Sequence, residues 1–528
     1  MIQNPILPGF HPDPSILRVN EDYYLATSTF EWFPGVMIYH SKDLVNWRLI
    51  ARPLNRVSQL DMRGNADSGG IWAPCLTWDD GLFYLCYTDM KNWRDVFNYK
   101  DAHNYLVTAP EITGPWSEPI HMNSGGFDPS LFHDDDGRKW FSNIIWDYRG
   151  RDIKEYFGGI ILQEYDPGEK RLTGPVKTIF KGTPIGLTEG PHIYKRNGFY
   201  YLMTAEGGTE YEHAVTMARS KSIDGPYEID PQTPMLTSAN NPELVLQKAG
   251  HASLVETQTG EWYLAHLCGR PVGAERRCIL GRETAIQKCY WNDDGWLRLT
   301  GGGNEPRASV EHPDLPAVPF AQPLARDDFD RSELDLIYQT LRIPADDSWL
   351  SLVERPGWLR LRGQETLSSR HRQSLVTRRV QHFYCEASTR LEFNPETFQH
   401  MAGLTAFYDT TCHYYLFISH DERLGKVLNL FEMDQNEMRF CLKEPVELDE
   451  GPISLKVVFS KEILQFWYAP NDEQWQKVGP ALDATKLSDD YGELTFTGAF
   501  VGLCAQDLSG HGKHADFDWF EYSERTGD

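Results

Sequence analysis

The sequence predicts an all-β protein in which a five-bladed β-propeller is followed by a β-sandwich. Three observations lead there. A short element occurs five times, as Asp13-Pro14-Ser15, Trp72-Ala73-Pro74, Asp128-Pro129-Ser130, Glu189-Gly190-Pro191 and His251-Ala252-Ser253. Each copy precedes a turn and an aromatic strand, and the separations from Pro14, Pro74, Pro129, Pro191 and Ala252 to Tyr24, Tyr84, Trp140, Tyr201 and Trp262 are 10, 10, 11, 10 and 10 residues. A period of about 60 residues with a hairpin in every unit marks an array of small antiparallel sheets. Third, a Gly- and Pro-rich stretch from Gly301 to about Ala325 separates this array from some 200 residues of alternating apolar and polar character, the pattern of a sandwich.

The expected divisions are a propeller over 1–305, a linker over 306–325 and a sandwich over 326–528. Within the first, Asp79-Asp80-Gly81, Asp135-Asp136-Gly137, Arg196-Asn197-Gly198, Thr259-Gly260 and Asp293-Asp294-Gly295 are hairpin turns. Further strands recur at 38–44, 105–109 and 216–222, the last two running on to the matching turns Gly114-Pro115-Trp116 and Gly225-Pro226-Tyr227. In the second, strands are expected at 358–362, 414–418, 454–459, 464–468 and 515–522.

Composition narrows the function. A net charge of −25 argues against nucleic acid or an anionic membrane as partner and favours a neutral or cationic ligand, a small neutral oligosaccharide being the expected substrate. No apolar run approaches the roughly 18 residues that span a bilayer, and the start Met1-Ile2-Gln3-Asn4-Pro5 lacks a signal-type pattern, so a cytoplasmic location is expected. The nine cysteines are scattered without a Cys-x-x-Cys pair and read as reduced thiols.

The first strand of each propeller blade lines the central axis, so Asp13, Trp72, Asp128, Glu189 and His251 should converge. A lone Asp before Pro is commonly a turn residue. Two of them and a Glu at matching positions point instead to a shared site. Three carboxylates suit hydrolysis of a glycosidic bond, which needs one protonated carboxyl and one carboxylate. Neighbouring charges raise the cost of ionising a third group, and the longer Glu189 is the natural acid. Trp72 offers a stacking face for a sugar. A lectin propeller would repeat one site in every blade, whereas these five positions differ in chemistry.

Several motifs together resemble glycoside hydrolase family 43 in its β-xylosidase branch: Pro12-Asp13-Pro14-Ser15, 28–35 (Ser-Thr-Phe-Glu-Trp-Phe-Pro-Gly), 69–74 (Gly-Gly-Ile-Trp-Ala-Pro), Thr188-Glu189-Gly190-Pro191, Gly250-His251-Ala252-Ser253 and 280–284 (Leu-Gly-Arg-Glu-Thr). The resemblance covers essentially the whole chain and implies a concanavalin-like or jelly-roll sandwich. It implies an inverting, exo-acting β-1,4-xylosidase on short xylooligosaccharides. Asp13 would be the general base, Glu189 the general acid and Asp128 the group that tunes and orients the acid. Arg282 would partner Asp128 and substrate hydroxyls, and Phe30, Trp72, Phe127, Thr209 and His251 would line the pocket. A sandwich phenylalanine would close it, Phe500 being the choice and Phe496 the other candidate.

An α-L-arabinofuranosidase or bifunctional enzyme is the nearest alternative, and a non-catalytic carbohydrate-binding propeller the alternative outside enzymes. An invertase-type retaining furanosidase would want an Asn-Asp-Pro-Asn-like motif where His11-Pro12-Asp13-Pro14-Ser15 stands. No cofactor is required. The resemblance admits a divalent cation near His251, and Asp327, Asp328, Asp516 and Asp518 could supply oxygen ligands to Ca²⁺. It also implies a homodimer or homotetramer, and a loop over 269–278 shorter than is usual for the branch.

Overall fold

The computed structural model describes residues 1–94, 97–470, 474–492 and 494–526. Five antiparallel sheets surround an axis. The first blade is built from Ser15–Val19, Asp22–Thr27, Met37–Ser41 and Arg48–Ala51, and the second from Gly70–Asp79, Leu82–Asn92, Asp101–Ala109 and Ile120–Asn123. The third comprises Ser130–His133, Lys139–Trp146, Phe157–Asp166 and Arg171–Phe180. Glu189–Arg196, Phe199–Glu206, Ala214–Ser220 and Glu228–Ile229 make the fourth, with Leu236–Thr237 added beside Ala214–Ser220. The fifth has Gln247–Glu256, Trp262–Gly269, Glu283–Trp291 and Leu297–Leu299. The first strands touch one another in chain order and the last returns to the first, which closes a five-fold ring.

Local sequence explains the hairpins. Asp80 (φ 47°) with Gly81 (φ 79°) and Asn197 (φ 49°) with Gly198 (φ 73°) both place two consecutive residues in the left-handed region. That is the type I′ geometry whose twist matches the flanking strands. Every blade is contiguous in sequence, so the ring is closed by the N-terminal segment instead of by a shared blade. Ile2–Gln3 pairs with Ser309–Val310, Leu7 bridges to Thr284, and the Asn4 side chain bonds the Ile286 backbone on both its N–H and C=O. Part of the stretch expected as linker therefore belongs to the propeller.

The sandwich packs an eight-stranded sheet on a nine-stranded one. Its core lies between them, around Leu361, Leu404, Leu416, Leu455, Val457 and Phe517. The nine-stranded sheet includes two propeller residues: Trp32–Phe33 pairs with Gln339–Leu341 as its last strand. A second core joins the domains, where Trp32 stacks on Phe500 with ring centroids 3.8 Å apart. Fully buried Arg342 spans the same junction, donating to Asp67 Oδ1 at 2.7 Å and to the Asn65 carbonyl at 2.9 Å.

Asp327 lies opposite Phe520, four residues along the strand from Asp516, a separation of roughly 13 Å. Asp516 accepts from Arg355 and Arg360, Asp327 from the Phe329 N–H and Arg331, Asp328 from Arg326 and Asp518 from Arg390. The Ca²⁺ site expected at Asp327 and Asp516 is thus corrected: these carboxylates are apart and turned to arginines. All nine cysteines are free, eight of them buried. Among the described residues no helix is long and apolar enough to cross a membrane.

Candidate active site

At one end of the axis the first strands begin, and there the backbone takes unusual conformations. Asp13 (φ 54°), Asp128 (φ 56°) and His251 (φ 43°) are all left-handed, an arrangement that non-glycine residues hold only when the surroundings enforce it. Gly190 (φ 57°), after Glu189, is left-handed too, and a Cβ there would lie 3.0 Å from the His251 ring. The repeat thus turns the side chains of Asp13, Asp128, Glu189 and His251 into one pocket, with Trp72 on its wall.

The carboxylates differ in their surroundings. Asp13 accepts from the Ser28 hydroxyl and from Arg282 Nη1 at 3.2 Å, and its Oδ1 lies 3.7 Å from His251 Nδ1. Asp128 Oδ2 accepts the Gly190 N–H at 3.0 Å, while its own N–H donates to Thr88 Oγ1. Asp128 thereby holds the backbone immediately after Glu189. Burial, then the Asp13 charge, push Asp128 up to about 8, against the Gly190 N–H and Arg282. Burial followed by the charges of Asp128 and Asp13 raises Glu189 well above the ordinary carboxyl range, despite Arg282 and Lys100. Burial keeps His251 below its usual value, with Asp13 opposing.

Phe30, Trp72, Phe127, Thr209, His251 and Arg282 all line the pocket. Phe500 does not, and the choice between the two phenylalanines is corrected to Phe496. Phe500 is fully buried against Trp32 in the interdomain core. Phe496 packs 4.7 Å from Trp93, 5.6 Å from Trp72 and 5.8 Å from Phe30 on the pocket wall. Its carbonyl accepts from Arg282 Nη2 at 3.1 Å and its N–H donates to Ser68 Oγ. Arg282 also departs from expectation. Its hydrogen bonds go to Asp13 and to this carbonyl, and only its charge reaches Asp128 and Glu189.

Phe496→Ala should therefore raise KM about tenfold, roughly 1.4 kcal/mol of binding. Phe500→Ala should leave KM nearly unchanged and lower stability by about 3–5 kcal/mol. Steady-state kinetics and thermal melts on both variants check this.

The sequence reading missed the outer wall: Trp93, Phe97, Lys100 and Trp146. Lys100 Nζ sits 4.2 Å from the Phe97 ring centroid and 4.4 Å from that of Trp146, and donates to the Phe97 carbonyl. Burial lowers its pKa to about 7, with Glu189 opposing. The loop 269–278 turns away from the pocket. Arg277 bonds Thr485 Oγ1 and the Cys278 N–H donates to Asp490 on the sandwich.

A cation held by His251 would need further ligands. Beside it stand Asp13, with Oδ1 3.7 Å from His251 Nδ1, and the buried rings of His192 and His213, while the one three-residue group of ligand atoms close enough to share an ion among the described residues is Cys278, Asp489 and Asp490, elsewhere.

A buried carboxylate trio at the floor of an aromatic pocket on a propeller axis defines the class of carbohydrate-cleaving hydrolases that work with paired carboxyl groups. Comparison with known proteins narrows it. Residues 2–297 match the family described as Glycosyl hydrolases family 43, and residues 326–523 match the Beta xylosidase C-terminal Concanavalin A-like domain. The chain belongs to glycosyl hydrolase family 43. It is 50% identical to a protein named Beta-xylosidase from Bacillus subtilis (strain 168), over 99% of this chain and 100% of that one. It is also 50% identical to Xylosidase/arabinosidase 43B of Humicola insolens, covering 99% and 97%. The crystal structure of xylan beta-1,4-xylosidase from Bacillus Halodurans C-125 superposes with a TM-score of 0.97 at 60% identity, covering 99% of this chain and 100% of that one.

Proposed function

We propose that the protein is an inverting, exo-acting β-1,4-xylosidase that removes xylose from the non-reducing end of short xylooligosaccharides. The observation that carries this reading is the set of Asp13, Asp128 and Glu189 on the floor of a pocket narrowed from the sandwich side by Phe496. The xylosidase names of its relatives support xylose as the terminal sugar. Glu189, protonated, donates to the glycosidic oxygen as the bond from that oxygen to C1 breaks. Asp13 takes a proton from a water whose oxygen forms the new bond to C1. Ser28 and Arg282 orient the Asp13 carboxylate toward that water. Asp128 works through Glu189, by its bond to the Gly190 N–H and by its proximity.

The Humicola relative's double name supports a second activity on α-L-arabinofuranosides. Nine free thiols suit a reducing cytoplasm. The edge strand Glu437–Phe440, with Met438 and Phe440 exposed, supports self-association as a homodimer or homotetramer. The test of the main reading is proton NMR of xylobiose hydrolysis from the first minutes. α-Xylose appearing first is the expected result. β-Xylose first would mean retention and overturn the roles of Asp13 and Asp128. Inert xylobiose with released arabinose would favour the second activity, and no hydrolysis at all a binding protein.

A further inference from the structure

Outside the pocket, a buried charged site centres on Lys248. Its side chain is 0% exposed, and its backbone is left-handed (φ 54°) three residues before His251. The ammonium lies 2.5 Å from Asp490 Oδ1, 3.3 Å from Glu210 Oε2 and 3.6 Å from Asp489 Oδ1. Four polypeptide segments meet there, that of Lys248 included. Glu210 follows Thr209 of the pocket, Asp489 and Asp490 belong to the sandwich, and the second Asp490 oxygen accepts the Cys278 N–H of the fifth blade at 2.7 Å. Cys278, Asp489 and Asp490 are close enough to bind a metal ion, yet Lys248 already pairs with both aspartates, so the cation at this place is part of the chain.

The position of the cluster gives it meaning. Asp490 stands at the root of the sandwich segment that carries Leu494 and Phe496 to the pocket wall, and 494–499 has no regular secondary structure of its own. A segment without ladder hydrogen bonds depends on its anchors. Further along, Tyr408 holds Thr495, Ser68 holds the Phe496 N–H and Arg282 its carbonyl; at the root Lys248 and the Cys278 N–H hold Asp490, while Tyr491 donates to Asp434 and has Arg277 over its ring at 4.7 Å. Burial works against the ammonium, but Asp489, Glu210 and Asp490 overcome it and hold its pKa well above the ordinary lysine value. Removing one partner of such a buried set leaves uncompensated charge, which is far costlier than an exposed pair.

We propose that Lys248 is a positioning residue that anchors the root of the segment bearing Leu494 and Phe496, and so sets how tightly the pocket holds its sugar. The anchoring stands on geometry alone. The effect on sugar binding rests on the glycosidase reading above.

The test is amide hydrogen exchange of the full-length Lys248→Met variant beside xylobiose kinetics. Amides of 489–499 should exchange about tenfold faster than in the wild type, with the rest of the sandwich unchanged. KM for xylobiose and the inhibition constant for xylose should both rise about tenfold, while kcat changes far less. The double variant Lys248→Met/Asp490→Asn, in which the stranded carboxylate is neutralised, should regain part of both. Should Lys248→Met fail to fold, Asp490→Asn carries the test and should show the same local acceleration. Unaltered exchange over 489–499 in a folded variant, or acceleration spread over both domains, would overturn the anchor. Local acceleration with KM unmoved would overturn its link to the sugar. A wild type inert on xylobiose would sink the xylosidase reading, while the exchange data still judged the anchor.

Discussion

Glu189→Gln is expected to lower kcat on xylobiose by about 10²–10⁴-fold, with KM changed only a few-fold. Glutamine fills the same volume in the pocket but has no proton to give the leaving oxygen. The loss should shrink sharply on an aryl xyloside whose phenol leaves readily, because such a group needs little protonation. Equal losses on both substrates would mean that Glu189 is not the acid. The pH dependence has a definite sign. Burial and the charges of Asp128 and Asp13 raise the Glu189 pKa, so the donating form persists below that value and is lost above it. Activity of the native enzyme should therefore fall on the alkaline side as pH rises through this pKa. The alkaline limb should vanish from the residual activity of Glu189→Gln, as a pH series of kcat would reveal.

Arg342→Met is expected to cost about 3–5 kcal/mol of stability, measured by denaturant or thermal unfolding. The guanidinium is fully buried, and without it Asp67 keeps the Thr410 hydroxyl and N–H and Arg370, 3.7 Å away, to compensate its charge. Glu31 stands close by. Burial has pushed it up to about 8, Arg342 opposing and Asp67 adding to the rise. Removing Arg342 thus leaves two acidic groups buried without their principal cation. Arg342→Met/Asp67→Leu should recover much of the loss, because replacing a whole buried pair with apolar side chains avoids the stranded charge. The same variants should disturb the pocket. The Trp93 indole donates to the Asp67 carbonyl, and Trp93 is the closest ring to Phe496.

The propeller and its central residues were legible because both follow from register. A repeat fixes which residue of each blade stands near the axial end of the first strand, so Asp13, Trp72, Asp128, Glu189 and His251 could be placed together without any knowledge of their contacts. Phe496 and Phe500 lie only four residues apart and share a chemistry. Only packing separates them, since Phe500 opens a regular strand facing Trp32 while Phe496 lies in the irregular segment before it. Lys100 immediately precedes one strand and Trp146 ends another at the rim, where no repeat position marks them. Pairing of Trp32–Phe33 with a strand some 300 residues later leaves no local signal at all. The Ca²⁺ expectation failed for a related reason. Acidic residues near one another in sequence say nothing about arginines that arrive from other strands.

The two propeller residues that finish the sandwich sheet bear on how such a protein can be divided. A propeller cut free at the boundary read from composition would carry Trp32 and Phe33 without their strand partner, Trp32 without its stacked ring and the pocket without Phe496. The sandwich would be left with an open sheet edge beside an exposed aromatic face, a surface prone to pairing with other chains. Neither half is therefore a portable module. The two domains form one catalytic unit that must be inherited, expressed and engineered whole.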